Sequence, residues 1–204
     1  MSEPAYRNVS VDEDPACPSH DAGPRVSYQL HIDGGVREVA GAWFGESLLR
    51  VLRDHLGVLS VKDACEQGRC GSCSVLMDGR LVTSCTVLAA DAADAQVTTV
   101  AGLGVGGPAR AVQAAFLAHG AVQCGFCTPG FVVAVTDLLA RRPDADEDEI
   151  RESLAGNICR CTGYGRIIAA IRSVQEARRR PGDTRWRPGT GQRPGTDQRQ
   201  GTGR

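Results

Sequence analysis

The chain has no charge surplus of either sign. Its 23 Lys and Arg residues meet 24 Asp and Glu, a formal net charge of −1, which gives no reason to expect a nucleic acid or an anionic membrane as partner. It also has no apolar run near the roughly 20 residues that a membrane-spanning helix requires. Met1 to Pro15 carries no basic segment followed by an apolar one and no twin arginine, so no export signal is expected and the protein is read as cytoplasmic. A Ser-His-Asp triad, a phosphate loop and a GxGxxG turn with an acidic ribose contact are missing, so sites of those kinds are not expected. His20, His31, His55 and His119 show no ligand spacing and are read as structural or surface residues. Aromatic residues are scarce at 4%, yet 42% of the 204 residues are hydrophobic, enough for the core of one large domain or two small ones.

What the chain has in quantity is cysteine, with nine residues. In a reducing compartment these are not expected to be mainly disulfides. Cys17 stands alone in a polar arm and is read as a free thiol; the other eight fall into two groups, as in metal-binding cytosolic chains. Cys65, Cys70 and Cys73 have C-x4-C-x2-C spacing with Cys85 further on, the plant-type [2Fe–2S] pattern. Such a cluster with four thiolates is negatively charged and needs inward-turned backbone N–H groups. Gly68 and Gly71 permit the tight turns that present them. Zinc fits this loop less well, since structural zinc prefers paired C-x2-4-C knuckles. Cys124 and Cys127 (C-x2-C) with Cys159 and Cys161 (C-x-C) make the second group, where spacing alone leaves both a cluster and zinc open. A thioredoxin-like pair would need a βαβ context that the pattern lacks.

The pattern divides the chain into a loosely ordered arm (1–24), a first domain (25–100), a hinge (101–107), a second domain (108–178) and a low-complexity tail (179–204). Val26, Tyr28, Leu30 and Ile32 alternate with polar residues, Asp33-Gly34-Gly35 is a hairpin turn, and a second short strand runs to Val39. Ser47 to Leu56 reads as an amphipathic helix capped by Gly57. A hairpin around Asp78-Gly79 and a last strand from Val97 to Val100 complete a β-grasp unit. The second domain reads as a four-helix bundle. Its helices are Ala109 to His119, one started by Thr128-Pro129 with Phe131, Val135, Leu138 and Leu139 on its apolar face, a short one with a capping box from Asp146 to Glu149, and one marked by Ile167, Ile168, Ile171 and Val174. The fold class is therefore α+β. The repeated Arg-Pro-Gly-Thr of the tail is expected to be disordered.

Three segments carry a family resemblance. Residues 65–75 (CEQGRCGSCSV), 123–130 (QCGFCTPG) and 156–164 (GNICRCTGY) resemble signatures of the xanthine oxidase family of molybdenum hydroxylases, in the family's order, within a likeness spanning about residues 26–178. Glu66 stands where many members have Gly, a departure that removes no ligand. The resemblance implies a plant-type ferredoxin domain followed by a helical domain, with two [2Fe–2S] clusters in all. It also implies a molybdopterin-binding large subunit and an FAD-binding medium subunit as partners, in a heterotrimer that dimerises. In this picture the chain relays electrons from the molybdenum centre to FAD and turns over no substrate alone. Gln123 and the backbone of Cys161 are the positions that the family uses to contact the pterin. A xanthine dehydrogenase-like complex is the first expectation. An aldehyde, carbon monoxide or N-heterocycle dehydrogenase, a free-standing ferredoxin and a zinc-binding adaptor are the alternatives.

Overall fold

The structure, a computed structural model, describes residues 10–12, 23–104 and 108–179. Cys17, His20 and the tail from residue 180 lie outside the described residues, as does most of the arm. Six strands among the described residues form one sheet: β1 (Ser10–Asp12), β2 (Arg25–Ile32), β3 (Gly35–Trp43), β4 (Ser74–Met77), β5 (Arg80–Thr83) and β6 (Gln96–Thr98). The expected loose arm thus includes a strand, paired antiparallel with the start of β2. The end of the same strand pairs in parallel with β6, while β3 takes the other edge. The alternation in β2 is borne out: Val26, Tyr28, Leu30 and Ile32 are all buried. They pack with Leu48, Leu49, Leu52, Val75 and Val97 in one core.

Three local expectations need correction. The strand expected to end at Val39 runs on to Trp43, because a bulge at Gly41 (φ 64°) absorbs the break in alternation. The helix expected from Ser47 to Leu56 is capped by the Ser47 hydroxyl as α1 (Leu48–Arg50), but then widens over Val51–His55, where the Leu56 N–H reaches the Val51 carbonyl five residues back. Gly57 (φ 68°) ends it as foreseen. The last strand stops at Thr98, and Thr99 caps a short helix, α2 (Val100–Leu103), so the expected hinge is helical over its first three residues. The reason lies in Asp33, whose carboxylate accepts from both the Thr99 N–H (2.7 Å) and its hydroxyl (2.8 Å) and so sets where the strand turns off.

Four further helices follow: α3 (Pro108–Ala118), α4 (Thr128–Arg141), α5 (Glu147–Ser153) and α6 (Gly165–Arg179). Phe116, Phe131, Leu138, Leu139, Ile150, Ile167 and Ile171 fill a second core between them. The sequence shows α4 with one apolar face, yet every residue from Gly130 to Leu139 is buried. One side of α4 meets the other helices, and its remaining side packs on β4 and β5. Thr136 satisfies its hydroxyl on the Val132 carbonyl, and Asp137 pairs with Arg141. Helix α4 therefore pins the helical half to the sheet.

The capping box of α5 is present in both directions: Asp146 accepts from the Glu149 N–H (2.9 Å) and Glu149 from the Asp146 N–H (3.0 Å). Replacing Asp146 with alanine is expected to lower unfolding stability by about 1 kcal/mol, read from a denaturant midpoint, with the metal centres unaffected.

Candidate metal centres

The first cysteine group occupies the loop that leads into β4 and the turn that follows β5. Between Cys65 and Cys73 the backbone turns back on itself, with Glu66 at φ 50°, Gly68 at 69° and Gly71 at 67°. A left-handed conformation costs glycine nothing, which explains why glycine suits the position that Glu66 holds here. These turns aim amides at sulfur: the Gln67 N–H donates to Cys65 Sγ (3.4 Å) and the Gly68 N–H to Cys85 Sγ (3.2 Å). Burial pushes the Cys65 thiol up, but the amides of Gln67, Arg69 and Cys70 outweigh it and bring it down to about 7. Cys85 is pushed up to about 12 by burial and by the neighbouring Cys73 thiol.

The second group is built by two helix entrances. Gly120 (φ 60°) ends α3, Gly125 (φ 81°) turns the chain, and Cys127 rather than Thr128 takes the N-cap position of α4. Cys159 and Cys161 precede α6. Cys161 Sγ lies 3.6 Å from Cys124 Sγ. Cys127 contacts Cys159, and burial together with that thiol pushes Cys127 up to about 12. Burial raises Cys159, but the hydroxyl and amide of Thr162 outweigh it and hold the thiol below its ordinary value.

The eight thiols lie in two groups of four: Cys161 Sγ stands 3.6 Å from Cys124 Sγ, and Cys65 with Cys70, Cys73 with Cys85 and Cys127 with Cys159 are near enough to influence each other's ionisation. Among the described residues no group of three or more His, Cys, Asp or Glu is placed to hold a single metal ion. Gln123 is exposed beside Cys124. His55 pairs with Glu46 at 2.8 Å.

The two quartets are joined directly. The Ile158 N–H donates to the Cys70 carbonyl (2.9 Å), and the buried Asn157 amide donates to the Gly71 carbonyl (3.2 Å). Gly130, in the first turn of α4, lies so close to this loop that a Cβ there would stand 2.1 Å from the Gly71 oxygen.

Comparison with known proteins decides what this arrangement is. Residues 30–101 match the model of a 2Fe-2S iron-sulfur cluster binding domain, and residues 99–172 match that of a [2Fe-2S] binding domain. The nicotinate dehydrogenase small FeS subunit of Eubacterium barkeri is 39% identical over 152 residues, covering 74% of this chain and 96% of that subunit. The xanthine dehydrogenase iron-sulfur-binding subunit of Escherichia coli O157:H7 is 45% identical over 136 residues, covering 66% and 85%. The crystal structure of quinoline 2-oxidoreductase from Pseudomonas putida 86 contains a chain with 41% identity and a TM-score of 0.68, covering 76% of this chain and 96% of that one.

The chain belongs to the iron–sulfur subunits of the molybdenum hydroxylase family.

Both halves of this family member are [2Fe–2S]-binding domains, and the local chemistry fits: soft thiolate donors in fours, backbone amides turned onto sulfur, and, in the first loop, no space for a side chain at Gly68 or Gly71. Asn157, Thr162 and Tyr164 stand inside the quoted motifs without a role in the sequence reading. The available signal was that each is a polar residue within three positions of a cysteine.

Proposed function

We propose that this chain is the electron-transfer subunit of a molybdenum hydroxylase. Cys65, Cys70, Cys73 and Cys85 would hold one [2Fe–2S] cluster, and Cys124, Cys127, Cys159 and Cys161 the other. The observation that carries the reading is that each [2Fe–2S]-type half of the chain brings four cysteines together, with thiols arranged two by two. Two irons that share two bridging sulfides each need two further ligands to become four-coordinate, so the protein must supply two pairs and not one tight knot of four. Such clusters supply one-electron transfer, while the protein sets distance and potential.

The family resemblance implies the direction of flow, and the exposure of the second cysteine group supports it. Cys124 and Cys161 are exposed and share their surface with Gln123, Phe126 and Ile158, so the second quartet presents the face through which electrons would arrive from a molybdopterin-binding large subunit. The hydrogen bond from Ile158, the neighbour of Cys159, to the carbonyl of Cys70 gives a short through-bond route to the first quartet. From there electrons would pass to an FAD-binding medium subunit. The names of the relatives as small or iron–sulfur-binding subunits support partners of this kind. A cytoplasmic heterotrimer that dimerises is the assembly proposed, built on a β-grasp ferredoxin unit and a four-helix bundle. No helix among the described residues is long and apolar enough to cross a membrane. Relatives are named for xanthine, nicotinate and quinoline, and the substrate pocket would lie on another polypeptide.

The experiment is purification of the tagged chain from its native host. A complex containing molybdenum, FAD and two larger chains is the expected result. Recovery as a monomer alone would favour a free-standing ferredoxin.

Gln123 and the backbone of Cys161 are the contacts proposed for the pterin edge, since an amide side chain offers both donors and an acceptor. Replacing Gln123 with alanine is expected to leave both clusters assembled and to cost about 1–3 kcal/mol in cofactor retention or in the rate of cluster reduction. Molybdenum content and rapid-kinetic reduction check this. Wild-type values for both would remove the role.

A further inference from the structure

We infer that the Thr162 hydroxyl tunes the second cluster, raising its reduction potential by donating a hydrogen bond to Cys159 Sγ. The inference rests on the reading of Cys159 as a cluster ligand. A hydroxyl has one proton to give, and here its direction is fixed by its neighbours. The Tyr164 N–H donates to Thr162 Oγ1 (3.3 Å) and occupies a lone pair, while Oγ1 stands 3.1 Å from Cys159 Sγ. The Thr162 N–H reaches the same sulfur at 3.4 Å. Sulfur thus accepts two bonds from one residue.

Tyr164 holds this geometry in place and acts as a positioning residue. Its backbone is left-handed (φ 67°), an uncommon conformation for a bulky side chain that surrounding contacts must stabilise. Those contacts are present. The phenol oxygen accepts from the Cys159 N–H (3.1 Å) and donates to the Asn157 carbonyl (3.4 Å), and the ring meets Phe131 edge-on at 6.2 Å. Gly163 (φ 63°) lets the chain fold back so that Thr162 and Tyr164 both face Cys159.

The sign of the effect follows from charge. With a [2Fe–2S] cluster held there, uptake of one electron would break no bond and would leave the ligand sulfurs more negative. The oxidised cluster would already be anionic, and a hydrogen bond strengthens as its acceptor gains negative charge, so the donor would stabilise the reduced state more than the oxidised state. Arg160 is exposed and is not required for this effect.

The test is a paramagnetic-resonance redox titration of the full chain with both clusters loaded, comparing wild type, Thr162→Val and Thr162→Ser. Valine keeps the shape and removes the donor; serine keeps the donor. The expected result is a potential lower in the valine chain by about tenfold in the reduction equilibrium, which is about 59 mV for a one-electron couple, confined to the signal that Cys127→Ser abolishes. Serine should restore the wild-type value. An unchanged potential in the valine chain would overturn the inference, as would an equal fall in both signals. So would a valine chain that cannot hold its second cluster beside a serine chain of wild-type potential, since the hydroxyl would then serve assembly. A wild-type chain that holds no cluster would instead sink the functional reading beneath it.

Discussion

Gly130→Ala is expected to give a chain markedly less stable than wild type, with the two metal centres no longer in close register. The added methyl group would stand 2.1 Å from the Gly71 oxygen, 3.0 Å from the Gly71 carbonyl carbon and 3.1 Å from Ser72 Cα. These obstacles are backbone, so no side-chain rotation relieves them. Helix α4 cannot retreat either, because Phe131, Val132 and Val135 behind it are fully packed. Forcing one extra carbon into a packed interior costs typically about 1–3 kcal/mol, and the rigidity on both sides places this case at the upper end. If the loop moves instead, the bonds from Ile158 to Cys70 and from Asn157 to Gly71 lengthen, and electron exchange between the centres slows. Gly156→Ala is the control, since its added carbon meets nothing within 4 Å. Denaturant unfolding and the magnetic coupling between the reduced centres measure the two effects. Wild-type values of both for Gly130→Ala would show that the helix and the loop are not held as described.

The second large effect is expected at the cysteines themselves. Cys85→Ser should abolish one paramagnetic signal of the reduced chain, and Cys127→Ser the other, with about two irons retained in each variant. These two residues are chosen because each is a half-buried member of a pair whose partner, Cys73 or Cys159, is buried. Serine keeps the size but is a poor ligand for iron, and the surviving thiols of the damaged quartet cannot complete both irons. Loss of both signals from either variant, with the fold intact, would mean that the quartets are not independent sites.

Much of this was legible in the sequence because ligand spacing and strand alternation are short-range patterns. Cys65, Cys70 and Cys73 sit in one loop, and Val26, Tyr28, Leu30 and Ile32 face inward on the strand that carries them. The capping box at Asp146 needs only four consecutive residues. What escaped the sequence depends on contacts between distant segments. Nothing local marks Asp33 as the partner of Thr99, so the sequence from Val97 to Val100 has the pattern of one continuous strand. The full burial of α4 depends on β4 and β5, which lie more than forty residues earlier. Gly130 reads as an unremarkable glycine until the loop around Gly71 is seen against it. Thr162 and Tyr164 were in view within a quoted motif, but their roles require knowing that the chain turns back at Gly163.

Two groups of four thiols that each hold a [2Fe–2S] cluster fix the iron and sulfide content of the chain. Iron and acid-labile sulfide analysis of the purified full chain, with a paramagnetic-resonance spectrum after anaerobic reduction, tests this occupancy most directly. The expected result is about four irons and about four sulfides per chain with two distinguishable rhombic signals. A colourless chain holding two zinc ions and no inorganic sulfide would contradict it.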